Sequence, residues 1–184
     1  DGTAVLEARY TLRTDDGADA PPDGRTMGEI QVSGPFITGS YHGVPVTADK
    51  FADDADGRHW LRTGDVATID ELGFLRITDR TKDLIKSGGE WISSVDLENA
   101  LMAHPAVAEA AVIAIPDEKW SDRPLACVAF KPGQAAEPAA LSAHLLKHGF
   151  AKWQLPERYE IIDAVPRTST GKFWKLKLRE GFPK

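Results

Sequence analysis

Four short stretches of this 184-residue chain combine residue types that can do chemistry. HWLRTGD, residues 59–65, ends a strand-like run on Asp65 in a Thr-Gly turn. A carboxylate there can present both oxygens to a vicinal diol such as a ribose, although alone it also suits an Asx-turn that caps its own backbone. DRTKD, residues 79–83, offers Arg80 as a planar fork of donors and Lys82 as a point charge on a flexible stem. Alone it is a salt-bridged surface turn. SGGE, residues 87–90, pairs Gly88 with Gly89, so another group can approach the backbone closely, or the chain can take positive φ before a capped helix. PRTSTGK, residues 166–172, presents Lys172 from a glycine-containing, hydroxyl-rich turn. It is not a phosphate loop of the form GxxxxGK[ST]: Pro166 stands where the first glycine belongs, and Phe173 replaces the metal-binding hydroxyl. HLLKH sets His144 and His148 at i, i+4, but no third ligand or zinc-hydrolase glutamate accompanies them, so no metal is expected.

Composition narrows what such residues can serve. The 42% apolar and 27% charged content is that of a soluble globular protein. No run approaches the roughly 18 apolar residues of a membrane span, and no signal-peptide layout opens the chain. A net charge of −6 argues against nucleic acid as a partner. Cys127 is the one cysteine and lies in the apolar run LACVAF, which excludes a disulfide framework and points to a buried thiol in a reducing, cytoplasmic setting. From Arg167 onward six basic residues meet one acid, Glu180, an arrangement for a solvated tail or for a segment that meets phosphates.

The elements that must position these stretches divide at the charged run. Before it, AVLEARYTL and GEIQVS read as strands, and residues 47–51 as one helical turn with Thr47 as N-cap. HWLRTGDVATID and GFLRITDR form a hairpin across Glu71-Leu72-Gly73. The polar run 79–83 is too charged for a core and reads as a joint. After it, Ser93 or Ser94 can cap a helix with Leu97, Ala100, Leu101 and His104 on one face, stopped by Pro105. Residues 107–115 and 123–130 are apolar core strands, 138–147 is a helix, 159–163 a third strand, and 172–179 a closing helix or arm. The fold class expected is α+β, a strand-rich first part followed by a short sheet of about three strands packed by helices.

Taken in order, the stretches resemble the C-terminal part of the adenylate-forming superfamily: acyl-CoA synthetases, luciferases and the adenylation domains of peptide synthetases. GEIQVSGPFITGSYHG is similar to the family's GE(L/I)xVxGPxxxxGY segment, and residues 59–93 to its ribose-aspartate and hinge signatures. HPAVAEAAVIAIPDEKWSDRPLACV resembles the core of its small domain, and VPRTSTGK its terminal lysine signature. SGGEWISSVDLENA most resembles bacterial medium- and long-chain fatty acyl-CoA synthetases.

The resemblance implies that residues 1–81 are the tail of a large domain and 82–184 a small mobile domain, hinged at Lys82, where many relatives carry aspartate. It implies that Asp65 holds the ribose hydroxyls of ATP and of the acyl-adenylate, that Arg80 assists on ribose or phosphate, and that Gly88 lines the passage for the pantetheine arm of CoA. Lys172 would bridge the substrate carboxylate and the α-phosphate. The family's phosphate loop, magnesium site and acyl pocket have no counterpart in these residues, so the chain is expected to be an inert piece of a larger enzyme. That enzyme would convert a fatty acid, ATP and CoA, with Mg2+, into acyl-CoA, in the cytoplasm or peripherally at a membrane. Two alternatives stay open: a ligase using another acid or a carrier-protein thiol, and a non-catalytic nucleotide- or protein-interaction domain.

Overall fold

The protein is described by a computed structural model over residues 8–43, 45 and 49–182. These residues form two compact units, one reaching Lys82 and the other starting at Asp83. Among the described residues there are three α-helices and two five-stranded sheets, so the class is α+β.

The first unit is an antiparallel sheet of β1 (Arg9–Arg13), β2 (Gly28–Ser33), β3 (Phe51–Asp53), β4 (His59–Ile69) and β5 (Leu75–Arg80). β4, eleven residues long, is its spine: β2 pairs with it along one edge, while β3 and β5 share the other, one after the other. The expected hairpin is β4–β5, turned by Asp70 through Gly73, whose N–H donates to the Asp70 carbonyl at 2.9 Å. The helical turn expected over residues 47–51 begins outside the described residues; Asp49 and Lys50 form a turn, and Phe51 belongs to a strand rather than to a helix. Phe51, Trp60, Val66, Ala67 and Leu12 are the buried apolar residues. The charged joint was expected to stay out of any core. Asp79 corrects this: it is 5% exposed, because its position in β5 faces inward opposite Val66.

The second unit has β6 (Ile85–Ser87), β7 (Glu90–Ile92), α1 (Ser94–Met102), β8 (Val107–Asp117), β9 (Ser121–Phe130), α2 (Pro138–Lys147), a 3-10 turn (Lys152–Gln154), β10 (Arg158–Ile161) and α3 (Lys175–Gly181). β8 and β9 pair antiparallel along their length, β10 runs parallel to β9, and β6 joins β9 at Ser87–Ser121. The three expected strands are present, accompanied by β6 and β7, which are three residues each. Such strands are too short to leave a period in the sequence.

β8 and β9 are buried on both faces, which explains their unbroken apolar runs. Ala110, Val112, Ala126 and Val128 meet Leu97 and Leu101 of α1 and Leu141 and Leu145 of α2. The alternate residues Ala111, Ile113, Leu125 and Cys127 meet Val165 and Leu178 of α3. Ser93 caps α1, its hydroxyl accepting from the Asp96 N–H at 3.1 Å. Pro138 opens α2 at its first turn, where a missing N–H costs nothing.

Candidate functional site

Asp65 and Arg80 are brought together by strand register. They are partners across β4 and β5, and the Arg80 Nε lies 2.9 Å from the Asp65 Oδ1. TGD reads as a turn in the sequence. In the structure it is an irregularity within β4: between the pairs Gln31–Arg62 and Glu29–Val66, β2 advances two residues and β4 advances four. Gly64 takes φ +74° there, a conformation that favours glycine. Thr63 anchors the distortion, donating from Oγ1 to the Ile30 carbonyl at 2.8 Å and accepting the Asp65 N–H at 3.1 Å. The Gly64 carbonyl accepts the Thr81 N–H at 2.9 Å, which fixes the chain just before Lys82. A cleft of about 540 Å³ opens here, with Lys50, Arg62, Thr63, Gly64, Arg80 and Lys82 on its walls. Arg62 is held by the buried Glu29 at 2.7 Å. A half-exposed carboxylate beside an exposed guanidinium suits a ligand carrying both hydroxyls and negative charge. Lys82 itself is exposed, at the last position of the first unit.

In the second unit, Lys172 stands on a tight loop closed by the bridge between Arg167 and Phe173. Thr168 N–H donates to the Lys172 carbonyl at 2.8 Å, and Gly171 N–H to the Thr168 carbonyl at 2.9 Å, with Gly171 at φ +80°. Arg167 locks the base of the loop. It donates to the Gly171 carbonyl at 2.7 Å, lies over the Phe173 ring at 4.7 Å, and pairs with Glu109 of β8 at 2.5 Å. The hydrogen bond from Arg167, assisted by the Val165 N–H, holds the Glu109 carboxyl below the usual range. Three residues beyond Lys172, the Lys175 side chain is 11% exposed and pairs with the buried Glu98 of α1 at 2.7 Å. The Lys172 ammonium, by contrast, is exposed and has no hydrogen-bond or ion-pair partner among the described residues. The loop is thus clamped at its base, while its cation meets no partner among the described residues.

Gly88 lies at φ +62° and Gly89 at +86°, so both need the left-handed freedom that glycine has. The side of Gly88 where a Cβ would project is already occupied: such an atom would stand 3.0 Å from the Trp120 ring. Gly88 opens on a cleft of about 560 Å³ whose walls include Trp120, Arg123, Lys152, Trp153 and Glu157. None of these walls was recognised as functional from the sequence. Nothing in the sequence sets Trp120 apart, and Arg123 reads as the first residue of an apolar strand. The available signal was a guanidinium placed directly against a run that buries both faces.

The His144 and His148 rings each meet a backbone carbonyl oxygen. His144 Nε2 lies 3.0 Å from the Ala100 carbonyl oxygen and His148 Nδ1 lies 2.9 Å from that of His144. No group of three or more His, Cys, Asp or Glu is placed to hold a metal ion among the described residues.

Residues 96–172 match the AMP-binding enzyme C-terminal domain. The chain is 53% identical over 181 residues to a long-chain-fatty-acid–CoA ligase of Thermus thermophilus, covering 98% of this chain and 33% of that protein. It is 44% identical over 199 residues to a 3-methylmercaptopropionyl-CoA ligase of Ruegeria pomeroyi, covering 98% and 35% respectively. The structure is similar to that of the o-succinylbenzoate CoA synthetase MenE of Bacillus subtilis, solved with its acyl-adenylate intermediate. The TM-score is 0.75 and the identity 33%, over 94% of this chain and 34% of that one. The chain thus spans about a third of the length of the relatives it matches. With its ordered signatures on the loops just described, the chain belongs to the adenylate-forming superfamily and matches that superfamily's C-terminal part.

Proposed function

We propose that the enzyme to which this chain belongs is an ATP-dependent fatty acid–CoA ligase, which activates a carboxylic acid as an acyl-adenylate and then passes the acyl group to the thiol of CoA. One observation carries this reading: a free ammonium, that of Lys172, stands on a loop clamped at its base by Arg167 and Glu109. A preorganised cation of this kind stabilises charge that develops as a carboxylate attacks the α-phosphate and pyrophosphate leaves. The Asp65–Arg80 pair supports the nucleotide part, the carboxylate accepting from the ribose hydroxyls and the guanidinium facing ribose or phosphate. Gly88 supports the second step, since the glycine turn lines a cleft that admits a slender thiol-bearing arm. The 53% identity to a long-chain-fatty-acid–CoA ligase supports a fatty acid as the substrate class.

The remaining assignments belong to the same proposal. A large domain outside these residues supplies the acyl pocket and the contacts to the triphosphate, with Mg2+ accompanying ATP. Residues 1–81 are that domain's tail, and 82–184 form a small domain that swings about Lys82 between the two half-reactions. The piece by itself is inactive. Among the described residues no helix is long and apolar enough to cross a membrane. A cytoplasmic location, or a peripheral one at a membrane surface, is part of the same proposal.

The experiment is a screen of carboxylic acids on the full-length enzyme by pyrophosphate release, followed by both half-reactions on Lys172→Ala. Adenylation slows by roughly 10²–10³-fold, thioester formation from pre-made acyl-adenylate is largely spared, and the melting temperature barely moves. A variant that loses both steps equally, or unfolds, removes Lys172 from this role.

A further inference from the structure

The cleft beside Gly88 has one buried guanidinium in its wall. Arg123 stands on β9 and is 6% exposed. Its NH1 donates to the Ser87 hydroxyl at 2.9 Å and to the Trp153 carbonyl at 2.6 Å. Its NH2 donates to the Leu155 carbonyl at 3.2 Å, and its Nε to the Glu157 carboxylate at 2.8 Å. Ser87 is the residue before Gly88. Trp153 and Glu157 belong to the other segment lining the same cleft.

The glycine turn is tied down on a second side. Gly88 N–H donates to the Trp120 carbonyl at 2.8 Å, Ser87 pairs with Ser121, and the Trp120 ring lies against Gly88. Ser121 takes φ +72°, and among the described residues it is the non-glycine with positive φ. Such a conformation persists only where the surroundings enforce it. Here the strand bends so that Trp120 reaches the turn, while Arg123, two residues on, reaches both lining segments.

We propose that Arg123 is a positioning residue for the thioester half-reaction, setting the separation between the glycine turn and residues 152–157 and hence the width of the path for the thiol-bearing arm of CoA. The proposal rests on the ligase reading. Arginine is required rather than a generic cation, because the four acceptors lie around one planar fork. A lysine ammonium, with three donors on a flexible stem, cannot reach all of them and leaves acceptors without their donor.

The test uses the full-length enzyme with Arg123→Lys and Ser87→Ala, the two half-reactions measured separately, and amide hydrogen exchange across residues 87–90 and 152–157. In Arg123→Lys, thioester formation from pre-made acyl-adenylate falls by about 10- to 100-fold with a raised KM for CoA, as expected for a misplaced wall. Adenylation stays within about twofold, and exchange accelerates in both segments together. Ser87→Ala cuts only the link to the turn, so its loss is about threefold to tenfold in the same step, with faster exchange confined to residues 87–90. Equal loss in both half-reactions, an unchanged thioester step, or unchanged exchange overturns the proposal. If Arg123→Lys does not fold, Ser87→Ala decides by the same readouts. A wild-type enzyme that forms no acyl-CoA from any acid overturns the ligase reading, and this role with it, before any variant is compared.

Discussion

At the scale of single residues, burial separates those that can react from those that cannot. Cys127 is fully buried between β9 and the α3 side of the sheet, and burial pushes its thiol up to about 12. The thiolate is the nucleophile, so this cysteine is inert while the unit is folded. At pH 8 a maleimide or disulfide reagent labels it at the rate of unfolding and labels it freely in denaturant; rapid labelling of the native protein contradicts the packing. Lys172 is the opposite case, a polar end left in water on a clamped loop. The contrast was legible in the sequence, since LACVAF reads as core and PRTSTGK as an exposed turn. Arg123 was not legible. A charged residue at a strand start looks solvated in one dimension, and its four acceptors come from residues 30 to 36 positions away.

At the scale of elements, one largely buried ion pair joins the last helix to the first helix of the second unit. Lys175 of α3 meets Glu98 of α1 at 2.7 Å, donates to the Ser94 hydroxyl at 2.7 Å, and Glu98 also accepts the Val112 N–H at 2.8 Å. Glu98→Gln keeps the shape and an acceptor for Val112 but leaves a largely buried ammonium without its counter-charge, a loss of about 2–4 kcal/mol, below that of a fully buried pair. Asp19→Asn, at the exposed pair with Arg13, serves as the control and changes stability by less than about 1 kcal/mol. Urea melts of both variants check the difference, and equal small effects mean the α1–α3 tie is dispensable. This tie was invisible in advance because period-based reading places helices on faces but does not pair charges across them. The three long strands and the two longer helices were legible because two-sided burial or an amphipathic face writes itself into the sequence. The distortion in β4 was read as a turn, since Thr-Gly-Asp signals positive φ without saying whether the strand resumes.

At the scale of the molecule, the chain divides into two compact units after Lys82, and the proposed swing of a small domain about that residue makes a prediction there. Proline fixes φ near about −65°, so Lys82→Pro in the full-length enzyme restrains the backbone where the swing requires two conformations. One half-reaction collapses and the other survives. Equal loss of both, or no loss, places the hinge elsewhere. The charge change alone is controlled by Lys82→Asp, which keeps both half-reactions.

The parallel placement of β10 beside β9 also dictates an order of assembly. β8 and β9 are joined by residues 118–120 alone, whereas β10 reaches β9 only after residues 131–157 have been threaded through α2. Closing the longer loop costs about 2 kcal/mol more in chain entropy. The β8–β9 hairpin with α1 is therefore the natural nucleus, and β10 docks late, as non-local pairing does. Arg123 finds its first partner early, through β6, and its remaining three only when residues 153–157 arrive. The cleft beside Gly88 is thus among the last parts of the unit to form, and its Lys152–Gln154 side is among the first to open.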